Sequence, residues 1–114
     1  MIAWLSGVVL SKHPDSVVLD VGGVGYQLSV SLNTFCQVPP IGGRVSVEVH
    51  THVREDQISL FGFLVPGERD VFRYLMAVAG IGPRLALNIL SGIAPAELAE
   101  AVSTGNLRRL QTVP

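Results

Sequence analysis

With 114 residues and 48% apolar content the chain can bury one core or two small ones, and its formal net charge of −1 excludes a broadly basic surface as the means of holding nucleic acid. One cysteine, Cys36, excludes an internal disulfide and reads as a space-filling side chain in a reducing interior. No basic leader precedes an apolar run, and no uncharged apolar stretch approaches the ~18 residues of a membrane span, so the expectation is a cytoplasmic protein with no membrane contact.

Up to about residue 64 the apolar period is two, with β-branched runs separated by glycine and proline turns. Ile2 to Leu10 predicts a first strand, bent or bulged at Gly7; Lys12-His13-Pro14-Asp15 a turn; Val17 to Val21 a second strand. Gly22-Gly23 turns the chain into a third strand, Tyr26 to Leu32. Asn33 to Pro40 breaks the alternation, as one helical turn capped by Asn33 would. After Gly42-Gly43, Val45, Val47 and Val49 alternate with Ser46, Glu48 and His50, and Ile58, Leu60 and Phe61 mark a last strand. Five short strands are too few for a sandwich and enough for a small closed barrel, of OB or SH3-like type on periodicity alone.

Trp4, Tyr26, Phe61 and Phe63 are candidates for a base-stacking platform, though core or interface roles suit most of them better. His13, His50 and His52 have no metal-site spacing, so neither a metal nor another cofactor is expected. Glu55 and Asp56, after Arg54, sit in the loop between the last two strands. Taken alone they are a solvated hairpin tip, since no third carboxylate lies near in sequence to complete a cation site.

Pro66-Gly67 marks a boundary after which the period becomes 3.6, dividing the chain into a β domain, 1–64, and a helical domain, 65–114. Formal charge is −2 before that boundary and +1 after it, so any contact with DNA must be local and shaped. Glu68 to Val78 predicts a helix with Val71, Phe72, Leu75, Met76 and Val78 inward, and with Arg69 and Arg73 on a solvated flank. Gly80-Ile81-Gly82 then makes a tight turn, and Pro83 opens a second helix carrying Leu85, Ala86, Ile89 and Leu90 inward. Ile81 plugs the gap between the helices, and the glycines expose amide N–H groups at the positive end of the second helix. Arg84 in that first turn works against the helix dipole unless an outside anion offsets it, so Gly80 to Arg84 predicts a phosphate site. Ser91-Gly92 ends the helix, Pro95 to Val102 forms another with Leu98, Ala99 and Val102 buried, and Asn106 caps a short last helix with Arg108 and Arg109 outward.

Residues 75–90, LMAVAGIGPRLALNIL, resemble a helix-hairpin-helix, a module that grips nucleic-acid backbone without reading bases. The stretches MIAWLSGVV, DVGGVGYQLSV, THVREDQISLFGF and AGIGPRLALNILSGI, in that order, make the whole chain similar to the RuvA family of Holliday junction branch migration subunits. The resemblance implies an all-β five-stranded OB-type barrel followed by a small all-α helix-hairpin-helix domain. It further implies a non-catalytic homotetramer, single or as two stacked tetramers, that binds four-way junction DNA in recombination, repair and the SOS response to DNA damage. Gly80, Ile81, Gly82, Pro83 and Arg84 would hold DNA backbone, and Glu55 and Asp56 would form an acidic pin that keeps phosphates from the centre. No G-x-x-x-x-G-K-[ST] motif occurs, so ATP hydrolysis is expected from a partner, the motor ATPase RuvB.

RuvA-like proteins continue with a second Gly-hydrophobe-Gly hairpin, a tether and a motor-binding domain. The chain stops at Val113-Pro114, at the threshold of that second hairpin, as a shortened or cleaved chain would. Junction binding is then expected to be weakened and motor coupling lost. Two rival readings belong to other classes: a general OB and helix-hairpin-helix DNA-binding or protein-interaction module, and a hydrolase built on Glu55, Asp56 and His50 or His52, for which nothing orients a nucleophile.

Overall fold

In the computed structural model, which describes the backbone of residues 1–104, five strands close into a barrel in the order β1-β2-β3-β5-β4. They are β1 (Trp4–His13), β2 (Ser16–Val21), β3 (Val24–Ser29), β4 (Arg44–Val53) and β5 (Ile58–Phe63). All neighbours are antiparallel except β3 and β5, which meet in parallel at Ser29 and Phe61. This is the OB-type barrel, and closure removes the sheet edges that five short strands would otherwise expose.

Local chemistry fixes the hairpins. Gly22 and Gly23 both have positive φ, +61° and +92°, as the tightest strand-to-strand turn needs, and the Asp20 carboxylate accepts the Gly23 N–H at 2.8 Å. The bulge expected at Gly7 lies instead between Val9 and Ser11, where the β1–β2 register shifts. Gly7 serves close approach, since a Cβ there would stand 2.3 Å from the Asp20 carbonyl oxygen. Val24 pairs with Val21 and extends β3 earlier than predicted, while Leu32 leaves the strand for α1 (Leu32–Gln37). Ser31, rather than Asn33, caps that helix: its hydroxyl accepts the Thr34 N–H at 3.1 Å. Cys36 on α1 is exposed, so it fills no space in the core.

Leu5, Val9, Val17, Leu19, Leu28, Val47 and Val49 fill the barrel. A second core is built on the outside of β5, where Phe61, Phe63 and Val65 pack against α2 (Glu68–Met76), α3 (Pro83–Ser91) and α4 (Pro95–Thr104) through Val71, Phe72, Leu75, Ala86, Leu90 and Leu98. The Phe72 ring lies 5.1 Å from both Phe61 and Phe63, centroid to centroid. Leu60 faces the barrel core and Phe61 the helical core, so β5 is covered on both sides. Leu85, predicted inward, is 47% exposed, and Leu87 packs against the core in its place. Leu98 is fully buried as expected. The side chains of Ala99 and Val102, and the predicted last helix from Asn106 with Arg108 and Arg109, lie outside the described residues.

Polar bonds tie the two layers together. Glu68, at the start of α2, is fully buried and accepts hydrogen bonds from the hydroxyls of Ser31, which caps α1, and of Thr34 within it. Asn33 donates to the carbonyls of Leu90 and Ile93 at 2.9 and 2.7 Å. Arg69 is neither a solvated side chain nor a free flank: it pairs with Glu48 on β4 at 3.0 Å and donates to the Ala3 carbonyl.

Candidate nucleic-acid interface

Between α2 and α3 the chain reverses over residues 77–82. Gly80 has φ +87°, which a residue with a Cβ adopts only at a cost, and it lets Ile81 turn back so that its N–H reaches the Val78 carbonyl at 3.2 Å. Ile81 is half-buried against the helical core and plugs the hairpin as expected. Gly82 is the N-cap of α3 in extended backbone, with no side-chain cap, and Pro83 takes the first helical position. Helix geometry leaves the N–H groups of Arg84 and Leu85 without acceptors inside α3.

Gly80, Gly82 and Arg84 are exposed, and Arg84 has no ion-pair or hydrogen-bond partner among the described residues. A Cβ built on Gly82 meets nothing within 4 Å, and its φ of −93° is open to any residue. Nothing inside the described chain therefore requires glycine there. Bare amides, a dipole end and one uncommitted guanidinium at an unobstructed surface make a fitting seat for a phosphate oxygen.

Glu55 and Asp56 lie at the exposed tip of the β4–β5 hairpin, closed by the Arg54 N–H donating to the Gln57 carbonyl at 2.8 Å. Arg54 and Gln57 form part of one wall of a cleft whose other wall is the start of α3, Pro83 and Arg84. The residues on either side of the acidic tip and the first two residues of α3 thus line the same depression.

Of the aromatics, Phe61 and Phe63 are buried, and Trp4 at 60% exposure is the one left open, so no four-ring platform is assembled. His50 sits edge-on against Phe72 at 5.4 Å, and burial followed by the nearby Arg73 charge lowers its pKa from 6.5. That orientation commits the imidazole to the helical core rather than to the acidic tip. Among the described residues no group of three or more His, Cys, Asp or Glu could hold a metal ion, and no helix is long and apolar enough to cross a membrane.

The family model described as RuvA N terminal domain matches residues 1–62, and that described as SAM-like Helix-hairpin-helix tandem matches residues 72–114. The Holliday junction branch migration complex subunit RuvA of Geobacter sulfurreducens is 48% identical over 114 residues, the whole of this chain and 57% of that protein. The proteins of the same description from Syntrophotalea carbinolica and Solibacter usitatus are 51% and 46% identical over the whole chain, which covers 57% and 58% of them. The chain thus spans less than two thirds of the length of these curated relatives.

Proposed function

The chain belongs to the RuvA family, and from that premise we propose that it is a structure-selective, sequence-independent binder of four-way DNA junctions with no catalytic role of its own. The observation that carries this reading is the hairpin turn: the first-turn amides of α3 and an unpaired Arg84 stand at a surface that nothing in the described chain covers. Gly80, Ile81, Gly82, Pro83 and Arg84 hold a backbone phosphate and read no base. Residues 1–64 act as the barrel domain that carries the pin, and residues 65–114 as the DNA-gripping domain.

Four copies assemble as a homotetramer, and four weak clamps at fixed spacing favour a junction over linear duplex because several arms engage at once. Glu55 and Asp56 act as the acidic pin and repel phosphates, so that the arms stay spread at the crossover. Strand movement in recombination and repair is powered by the separate motor RuvB, in the cytoplasm.

A gel-shift comparison of a synthetic four-way junction with linear duplex tests this. Preference for the junction, weakened by Arg84→Ala and by Gly82→Ala, is expected; equal affinity for the two DNAs would overturn it.

A further inference from the structure

A cleft of about 530 Å³ runs between the barrel and α3, and of the hairpin residues only Pro83 and Arg84 line it. Its lining is mostly polar: Arg54, Gln57 and His52 from the β4–β5 hairpin, Gln27 from β3, and Arg84 and Asn88 from α3. These are donors of the kind that bind phosphate and sugar oxygens. One carboxylate, Asp15, lines the cleft against the two guanidinium groups. Neither Arg54 nor Arg84 has an ion-pair partner among the described residues, whereas Arg69 is already committed to Glu48. Two guanidinium groups against one carboxylate leave the trough with a surplus of positive charge, which favours an anion there.

We propose that this cleft is a second phosphate station, in which Arg54, supported by Gln57, takes a backbone phosphate of the strand whose neighbouring phosphate is held at Gly80 to Arg84. The inference rests on the junction-binding reading and extends it from a point contact to a track. The track begins at the amides of α3, crosses the cleft and ends at the foot of the acidic hairpin. Arg54 and the carboxylates beside it then act in opposite senses. The carboxylates at the tip turn phosphates away, and the guanidinium at its base receives the strand as it leaves the crossover, which fixes where the strand bends.

The salt dependence of binding reads this directly, because the logarithm of affinity falls with the logarithm of salt concentration by about 0.9 for each phosphate contact to B-form DNA. Four-way junction binding by this chain is measured over a salt series for the unaltered protein and for Arg54→Gln, Arg54→Lys, Arg84→Gln and Arg44→Gln. Arg44 begins β4, away from the cleft lining, and its variant controls for a simple change in net charge. Arg54→Gln is expected to flatten the slope by about 0.9 for each subunit engaged, Arg54→Lys to restore most of it, and Arg44→Gln to leave it unchanged. An unchanged slope in Arg54→Gln beside a flattened one in Arg84→Gln would overturn the second station and leave the hairpin reading standing. Unchanged slopes in both would remove both. Equal flattening by Arg44→Gln, or a change of assembly size in Arg54→Gln showing the cleft to be a seam between copies, would also overturn the proposal.

Discussion

Ser31 and Glu68, 37 residues apart, are joined by a 2.7 Å hydrogen bond in which the hydroxyl that caps α1 donates to the carboxylate that begins α2. Thr34 donates to the other carboxylate oxygen, and its hydroxyl also accepts the Leu64 N–H at 3.1 Å, where the chain leaves the barrel. A fully buried carboxylate thereby fixes the angle at which the hairpin stands on the barrel. Glu68→Ala removes both acceptors and leaves a gap, at a cost of about 2–4 kcal/mol. Glu68→Gln retains an acceptor and most of the volume and is expected to cost under about 1 kcal/mol. Urea denaturation of the two variants checks the order.

The same carboxylate makes stability depend on pH in a stated sense. Burial raises its pKa above the ordinary 4.5, with the two hydroxyl donors opposing that shift. The folded state therefore holds the proton more tightly than the unfolded chain. This contribution is fully present below pH 4.5 and is lost as pH rises through the folded-state value. The unaltered protein is expected to lose stability relative to Glu68→Gln across that window. Parallel midpoint curves for the two proteins would show that the carboxylate binds its proton equally tightly in the folded and unfolded states.

Variants at Gly80 and Gly82 are expected to separate folding from the proposed binding. At φ +87° a side chain on residue 80 strains the turn, so Gly80→Ala is expected to cost about 1–2 kcal/mol and to weaken DNA binding with it. Gly82 has φ −93° and open space around it, so Gly82→Ala is expected to cost only the N-cap preference for glycine over alanine, about 0.5–1 kcal/mol. Its new methyl group nevertheless stands beside the amides that a phosphate would approach. Thermal melting and junction binding measured on both variants should therefore fall together for Gly80→Ala and diverge for Gly82→Ala.

Arg69 is expected to behave as a strut. Its guanidinium bridges Glu48 and the Ala3 carbonyl, and the pair is partly exposed, so Arg69→Gln should cost no more than about 1 kcal/mol. The salt slope of junction binding should be unaltered. A flattened slope would place this arginine on DNA instead.

The split of the chain into strands and helices was legible because its periods differ: Val45, Val47 and Val49 alternate cleanly, whereas Val71, Phe72 and Leu75 follow a helical stripe. The Gly80 to Arg84 turn was legible for a similar reason, since glycine and proline state their backbone requirements locally. β5 was harder, because Leu60 packs into the barrel and Phe61 under the helices, and a strand covered on both faces has no polar side to alternate with. Contacts set by tertiary approach left no local trace. Glu68 reads as an ordinary first-turn acid, Arg69 as an exposed base, and Gly7 as a bend, until Ser31, Glu48 and the Asp20 carbonyl are brought to them.

The acidic tip yields the prediction most specific to the tetrameric reading. Glu55 and Asp56 are exposed and stand at a hairpin tip closed by one backbone bond, so replacing them with Gln and Asn should leave the fold untouched. Their proposed work is repulsion, and removing repulsion cannot weaken the grip of clamps located elsewhere. Junction affinity for Glu55→Gln/Asp56→Asn is therefore expected to stay the same or to tighten. Fluorescence transfer between labelled arms should report a less open junction, because phosphates can then crowd the centre. A large loss of affinity would mean that the carboxylates contribute attraction, for instance through a bridging cation, and would remove them from the role of pin.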